Sequence, residues 1–337
     1  MIKSELFYDD DRGALFEDGK LVEYWPASQD DYHIGAICIL RITQIFKKQK
    51  RAQCQLPNGS LVSFRLTDAK GLSVGSFCWL TLTAQPRQHK PWQAEQGISR
   101  AGKYIVLHYG SSGLRISLKA KGSIDTKWLD ETKTHLPYGW GGVLKRASAG
   151  VSAEDIVAEI KRLTNGIDLP PPASITEPKI IYNGDSGCDL YRLAATPHTI
   201  LQQQSDNVFW QEIEEQVAEA CSQNITLPSG ARLSFELTQA LTAVDVDSAT
   251  SQLAPAALAK HVAPEIMRFI RLACYSGIII VDMPRMGTKD IAEVLEVMRS
   301  CATNDMRHPD VLGVSRAGLI EIVVRHRLAY LGDRVSF

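Results

Sequence analysis

Two aspartates stand where apolar, β-prone runs stop. Asp245 follows Ala240–Val244, and Asp282 follows Ile278–Val281. Strands joined by a long helix run parallel, so their carboxyl ends share one sheet edge, and open α/β sheets bind their ligands there. Neighbouring strands lie about 4.8 Å apart. Two carboxylates at that spacing repel, and a hard divalent cation relieves the repulsion. Mg²⁺ takes one or two carboxylates together with waters and a substrate phosphate. Asp247 lies two residues beyond Asp245 and faces the same side if the strand continues. The chemistry open to such a group is phosphodiester hydrolysis, with a metal that polarises the phosphoryl oxygen and lowers the pKa of an attacking water. The alternative is that these aspartates simply cap strands or start turns.

The elements that must position them are legible around them. Arg232–Glu236 and Leu241–Asp245 read as strands, Pro255–Tyr275 as an amphipathic helix and Gly277–Asp282 as a buried strand. Asp290–Ala302 reads as a second helix, and Asp310–Ser315 and Leu319–Leu328 as closing strands. The first third is β-rich: Val22–Trp25, Ala36–Ile42, Arg51–Leu56, Leu61–Leu66 and Phe77–Thr83, with Pro57-Asn58-Gly59 as a hairpin turn. Short strands and tight turns at this size predict a small closed barrel of the OB type. Further on, Tyr104–Leu107 and Gly142–Lys145 read as strands, and Ser152 caps a helix over Ala153–Asn165 that Gly166 ends. Three consecutive prolines at 170–172 break the chain, residues 174–205 read as loop, and Asn207–Ser222 has helical periodicity.

Composition sets the outer bounds. A chain of 337 residues implies about two domains, and 45% hydrophobic with 22% charged residues excludes a disordered chain or a coiled coil. With 37 Lys+Arg against 38 Asp+Glu the formal charge is −1, which argues against nonspecific coating of duplex nucleic acid. The seven cysteines are widely spaced with no CxxC, so neither a zinc ribbon nor a disulfide scaffold is expected. No signal peptide is evident and apolar runs such as Ile278–Val281 are far too short to span a bilayer, so a cytoplasmic protein with no membrane partner is expected. His108, His198, His261, His308 and His326 are scattered and read as surface or core residues. The basic run Lys47–Arg51 reads either as a solvated loop or as a patch that tracks RNA.

Four segments carry a resemblance. Leu227–Gly230, Leu237–Ser248, Gly277–Asp282 and Ser315–Glu321 resemble, in order and spacing, the LPSG, TEALTxIDVN, GLIVID and SRxGLxE motifs of the ribonuclease E/G family. In that family they lie in a DNase I-like catalytic subdomain. Arg268, Ile270, Arg271 and Leu272 match the amphipathic pattern of the intervening helix. Ile98–Leu107 resembles the exit from the family's S1-like barrel into its RNase H-like segment. Leu136–Gly142 followed by Ser152–Glu154 resembles its 5′-end-sensing region.

The resemblance implies an α+β multidomain chain. It comprises an N-terminal β segment (1–33), an S1-like OB-fold β-barrel (34–101), an abbreviated RNase H-like or 5′-sensor-like segment (102–226) and a DNase I-like α/β catalytic subdomain (227–337). It implies that Asp245 and Asp282 hold Mg²⁺, beside Asp247, for endonucleolytic cleavage of single-stranded RNA that leaves a 5′-phosphate. Phe64 falls on a stacking aromatic, Lys90 on a lysine of the RNA channel, Arg316 on the SRxG arginine, and Lys145-Arg146 on the 5′-phosphate sensor. The S1-like barrel is expected to clamp RNA, as OB-folds do by base stacking and a positive groove.

Several positions depart from the family pattern. Asp247 replaces an Asn that orients the first Asp, and Gln239 replaces a Glu. The loop Ala249–Pro255 is short and lacks arginine, and the helix after Asp282 has Lys289 and Arg299 as its main cations. A second barrel aromatic is missing around Gln53–Gln55, and the sensor lacks its Thr. The family's zinc-linking CxxC and small domain do not occur, so no zinc is expected, and a monomer or simple dimer is expected rather than a zinc-linked tetramer. Two readings follow: a compact Mg²⁺-dependent endoribonuclease, or an RNA-binding protein of the same fold with weak or lost nuclease activity. On either, the near-neutral total implies fewer phosphate contacts than a basic relative makes.

Overall fold

In the computed structural model the described residues are 3–27, 32–66, 72–87, 90–124, 129–169, 175–185, 199–303, 305 and 307–335. They fall into two units: Gln29–Ser186, and Met1–Ser28 together with Gly187–Phe337. The chain starts in the second of these with a meander of β1 (Ser4–Tyr8), β2 (Gly13–Glu17) and β3 (Lys20–Trp25).

The unit 29–186 opens with a closed barrel. Its strands are β4 (Ile37–Phe46), β5 (Arg51–Gln55), β6 (Leu61–Arg65), β7 (Phe77–Ala84) and β8 (Trp92–Gln96). The order is β4-β5-β6-β8-β7, and β7 pairs back onto β4. β4 is ten residues long and serves both edges: Ile37–Arg41 pair with β7, and Ile42–Phe46 with β5. Only β6 and β8 run parallel. This closure is that of an OB-like fold. The hairpin turn works as the sequence suggests, for Gly59 has φ 89° and its N–H donates to Leu56 O at 2.9 Å.

A second sheet follows, of β9 (Ser99–Ala101), β10 (Ile105–Tyr109), β11 (Leu114–Ile116) and β12 (Trp140–Leu144), in the order β11-β12-β10-β9. A short helix α1 (Leu129–Thr134) and α2 (Ala153–Thr164) belong to it, and Ile156, Ile160 and Leu163 of α2 pack on Ile105 and Leu107. Ser152 Oγ accepts from the Asp155 N–H at 3.1 Å, the expected cap. β13 (Lys179–Tyr182), in a stretch read from the sequence as loop, joins β4 antiparallel.

The other unit resumes with β14 (Ile200–Gln203), which lies parallel to β1, and α3 (Asn207–Ala220). Its main sheet comprises β15 (Asn224–Thr226), β16 (Arg232–Leu237), β17 (Leu241–Asp247), β18 (Gly277–Asp282), β19 (Asp310–Val314) and β20 (Ile320–Val324). The order is β15-β16-β17-β18-β20-β19, and only β17 and β18 are parallel. The crossover between them is α4 (Pro255–Leu272); α5 (Thr288–Ala302) follows β18. Alternation sorts the two faces. Leu233, Phe235, Val244, Val246, Ile279, Val281, Ile320 and Ile322 are buried in one core with residues of α3, α4 and α5. The opposite face is open, so Gly277–Asp282 is not the fully buried strand its composition suggests: Ile278 is 50% exposed.

The hairpin β2–β3 is tied to α4 by charge as well as by Leu21 and Tyr24. Arg271 donates through Nε to Glu23 at 2.6 Å and through Nη1 to Glu17 at 2.9 Å, while Lys20 and Arg268 both pair with Glu265. Arg271 is 7% exposed. Removing one member of such a group leaves the others charged and poorly solvated, so Arg271→Ala is expected to cost about 3 kcal/mol. Thermal unfolding checks this, and an unchanged midpoint would contradict it.

Candidate active site

β17 and β18 end together. Their parallel register pairs Asp245 with Asp282, and on the other side Ser234 of β16 stands opposite Asp245. The two carboxylates therefore sit on adjacent strands in one row, about 4.8 Å apart at the backbone. Both are exposed, on the face that the helices do not cover. One row further, Asp247 faces the same way, exposed, opposite Arg232. Alternation is the local cause: Val244, Val246 and Val281 point into the core, which turns the aspartates out.

The neighbouring motifs hold this edge in place. Asp247 Oδ1 accepts from the Ala249 N–H at 2.9 Å and starts the loop after β17. Leu227–Gly230 makes the turn into β16, where Gly230 has φ 82° and its carbonyl accepts from Thr250 N–H at 3.1 Å. A Cβ on Gly230 would lie 2.5 Å from Thr250 Oγ1, so only glycine lets this turn support the loop that follows the aspartates. Ser315–Leu319 forms the turn between β19 and β20, with the Ser315 N–H donating to Leu319 O at 2.8 Å and the Leu319 N–H donating to Ser315 Oγ at 3.2 Å. Because Val281 pairs with Ile320, that turn lies at the carboxyl end of β18, and Arg316 on it is exposed. Gln239 sits in the β16–β17 turn, at the opposite end of those strands from the aspartates.

The structure thus brings Asp245, Asp247, Asp282 and Arg316 to one sheet edge. Among the described residues no cluster of three or more His, Cys, Asp or Glu side chains forms a metal site. Asp245 and Asp282 alone still fit a hard divalent ion, which needs only one or two carboxylates when waters and phosphate complete its shell.

The remaining candidates lie in the unit 29–186. Phe64 is 1% exposed and sits inside the barrel, so its ring offers no face at the surface. No aromatic residue described in the barrel strands is exposed. Lys90 is exposed beside Arg87, to which its N–H donates at 2.7 Å. Lys47–Gln49 form a short 3₁₀ turn with exposed cations. Lys145 and Arg146 follow β12 where it runs parallel to β11, but Lys145 Nζ donates to Gly102 O, which engages its ammonium. Arg146 is exposed. Burial pushes the thiols of Cys38, inside the barrel, and of half-buried Cys221 up to about 12, away from the thiolate form that reacts. Cys188 and His198 lie outside the described residues. Among the described residues no helix is long and apolar enough to cross a membrane.

Sequence reading did not single out Arg232, the cation on the same face as the aspartates. The signal for it was the Thr238–Ala240 turn, from which counting back along the β16–β17 hairpin places Arg232 opposite Asp247.

A profile of the ribonuclease E/G family matches residues 191–328. Ribonuclease E of Nostoc sp. is 23% identical over 269 residues, 67% of this chain and 39% of the relative. Ribonuclease E of Haemophilus influenzae is 26% identical over 279 residues, 70% of this chain and 30% of the relative. Ribonuclease E of Escherichia coli is 30% identical over 129 residues, 36% of this chain and 12% of the relative. The chain thus spans well under half the length of these relatives. With four ordered motifs meeting at one sheet edge and these matches alongside, residues 191–328 of the chain are similar to the ribonuclease E/G family.

Proposed function

We propose that this chain is an endoribonuclease that cleaves single-stranded RNA with Mg²⁺ held by Asp245 and Asp282. The observation that carries this reading is the register of those two exposed carboxylates at the carboxyl ends of parallel strands. Bound there, a divalent ion supplies Lewis-acid polarisation of a phosphoryl oxygen and a water of lowered pKa. The chain's own residues do the rest. Asp245 and Asp282 fix where the ion sits, and the Leu227–Gly230 turn holds the loop beside them. Asp247 keeps that loop's first turn through Ala249. Arg316 offers a guanidinium to a phosphate. The OB-like barrel serves as an S1-like RNA-binding domain over 34–101, with Lys90 and the Lys47–Arg51 turn as its cations. Residues 102–226 form an abbreviated RNase H-like and sensor-like segment, and 227–337 a DNase I-like subdomain. The protein works as a monomer or simple dimer in the cytoplasm.

Incubation of the purified chain with single-stranded RNA carrying a 5′-monophosphate or a 5′-triphosphate, with and without Mg²⁺, tests this. Internal cleavage that requires Mg²⁺ is expected. The preference for the monophosphate end is expected to be under about threefold. Lys145 is engaged with Gly102 and no Thr stands beside it, so little differential binding remains. RNA bound without products would favour the binding-protein reading. Neither binding nor cleavage would overturn both.

A further inference from the structure

We propose that Arg232 is a phosphate-contacting residue that positions the RNA strand over Asp245 and Asp282; the inference rests on the functional reading above. Arg232 opens β16, and its register partner is Asp247, with Ser234 and Asp245 the next outward pair. Arg232, Asp245, Asp247 and Asp282 all lie exposed on the sheet face opposite the helices. Cross-strand and diagonal neighbours on one face lie within reach of a long side chain.

Three features single this arginine out. First, among the described residues its guanidinium has no ion pair and no hydrogen bond, although a carboxylate stands directly across the strand. Exposed Arg285 and Arg316 at the same end of the sheet share this state, whereas other arginines of the unit are engaged: Arg12 with Asp9 and Glu214, Arg268 with Glu265, Arg271 with Glu17 and Glu23, Arg307 with Asp305. Second, three carboxylates gathered on one face repel a phosphodiester, and a cation among them offsets that repulsion where the substrate must approach. Third, the strand order places Arg232 and Arg316 on opposite sides of the carboxylate pair. Arg232 is on β16, the aspartates on β17 and β18, and Arg316 on the turn between β20 and β19. A single strand laid across the carboxyl edge meets a guanidinium, then the carboxylates, then a second guanidinium, over about 14 Å, three interstrand spacings. Guanidinium groups suit this task because their planar fork donates to two phosphate oxygens at once. Arg232 so placed grips a phosphate beside the scissile one. It also supplies on β16 a cation that the short, arginine-free loop 249–255 does not.

The test compares wild type, Arg232→Gln, Arg232→Lys, Lys3→Gln and Asp282→Asn, each confirmed folded by thermal denaturation. Affinity for a short single-stranded oligoribonucleotide is measured in EDTA across a salt series, and cleavage is then measured with Mg²⁺. For Arg232→Gln the slope of log affinity against log salt is expected to fall by about 0.7, the value for one lost phosphate contact on a single strand. KM is expected to rise about fivefold or more, with kcat changed less than twofold, as removal of a contact made equally in ground and transition states requires. Arg232→Lys is expected to restore the slope and only part of KM, because charge returns without the fork. Lys3→Gln, which removes an exposed charge just before β1, should leave both unchanged. If Arg232→Gln matches wild type in slope and KM while Asp282→Asn abolishes cleavage, this inference is wrong and the nuclease reading stands. If wild type cleaves nothing but Arg232→Gln still lowers the slope, the nuclease reading fails and the phosphate contact survives. If wild type binds no RNA, both fall.

Discussion

Asp282→Asn is expected to lower RNA cleavage about a thousandfold, or ~4 kcal/mol of transition-state stabilisation, while leaving the fold intact. Asparagine keeps the shape of the side chain and loses its charge. Asp282 is exposed at the end of β18, where surface substitutions change stability by less than about 0.5 kcal/mol. Asp245→Asn should behave the same way, since the two residues occupy equivalent positions in one register row. Asp247→Asn should differ. Asp247 is one row further out, and the contact it makes is acceptance from the Ala249 N–H through Oδ1, which an asparagine oxygen makes equally well. A loss of less than about tenfold is therefore expected there. RNA affinity measured in EDTA should not fall for any of the three variants and should rise slightly, because each removes a negative charge from the face that receives a polyanion. Single-turnover cleavage at saturating Mg²⁺, with unfolding midpoints taken in parallel, separates these outcomes. Wild-type cleavage by Asp282→Asn would refute the ligand pair. An equal loss in Asp247→Asn would make Asp247 a third ligand.

How much of this could be read beforehand follows from what each residue depends on. The two aspartates were legible because they depend on short-range pattern. A β-prone run ending in Asp, twice, with one long helix between, fixes parallel strands and a shared edge before any coordinates exist. The barrel was legible for a similar reason, through short strands and the Pro57-Asn58-Gly59 turn. Phe64 was not placed correctly, because a strand in a small barrel puts alternate residues inside, and which set points inward is decided by closure of β7 onto β4. Gly277–Asp282 reads as a buried strand because β-branched residues suit a half-open strand as well as a covered one. The position of Lys145 rests on Gly102, 43 residues away, and β14 pairs with β1 although the whole of the other unit intervenes in the sequence; neither leaves a local trace. Arg232 is an intermediate case, since its place opposite Asp247 follows from hairpin register, but its significance appears only once the aspartates face outward with it.

Glu159 is the clearest instance of a residue whose role no local pattern reveals, and Glu159→Ala is expected to destabilise the protein by about 4 kcal/mol or more. On sequence it is one acid among several on α2, where a solvated surface position is the ordinary expectation. In the structure it is 7% exposed, and its carboxylate accepts from three successive backbone N–H groups: Lys103 at 2.6 Å, Tyr104 at 2.9 Å and Ile105 at 3.0 Å. Gly102 precedes them, and a Cβ there would lie 2.4 Å from the Glu159 carboxyl carbon, so the loop approaches this closely only because residue 102 has no side chain. Truncation leaves three donors without their acceptor at a cost of about 1–3 kcal/mol each, less whatever water entering the gap recovers. Glu159→Gln should lie between, because one amide oxygen remains while the amide N–H₂ opposes a backbone donor. The consequence reaches the phosphate candidates, since Lys145 Nζ is held by Gly102 O of the same loop. Amide exchange at residues 103–105 is therefore expected to accelerate more than exchange in the barrel strands, and the unfolding midpoint of the whole chain to fall. Uniform acceleration across the unit 29–186 would mean that Glu159 contributes only to global packing, and unchanged exchange at 103–105 would show that the loop holds its shape without it.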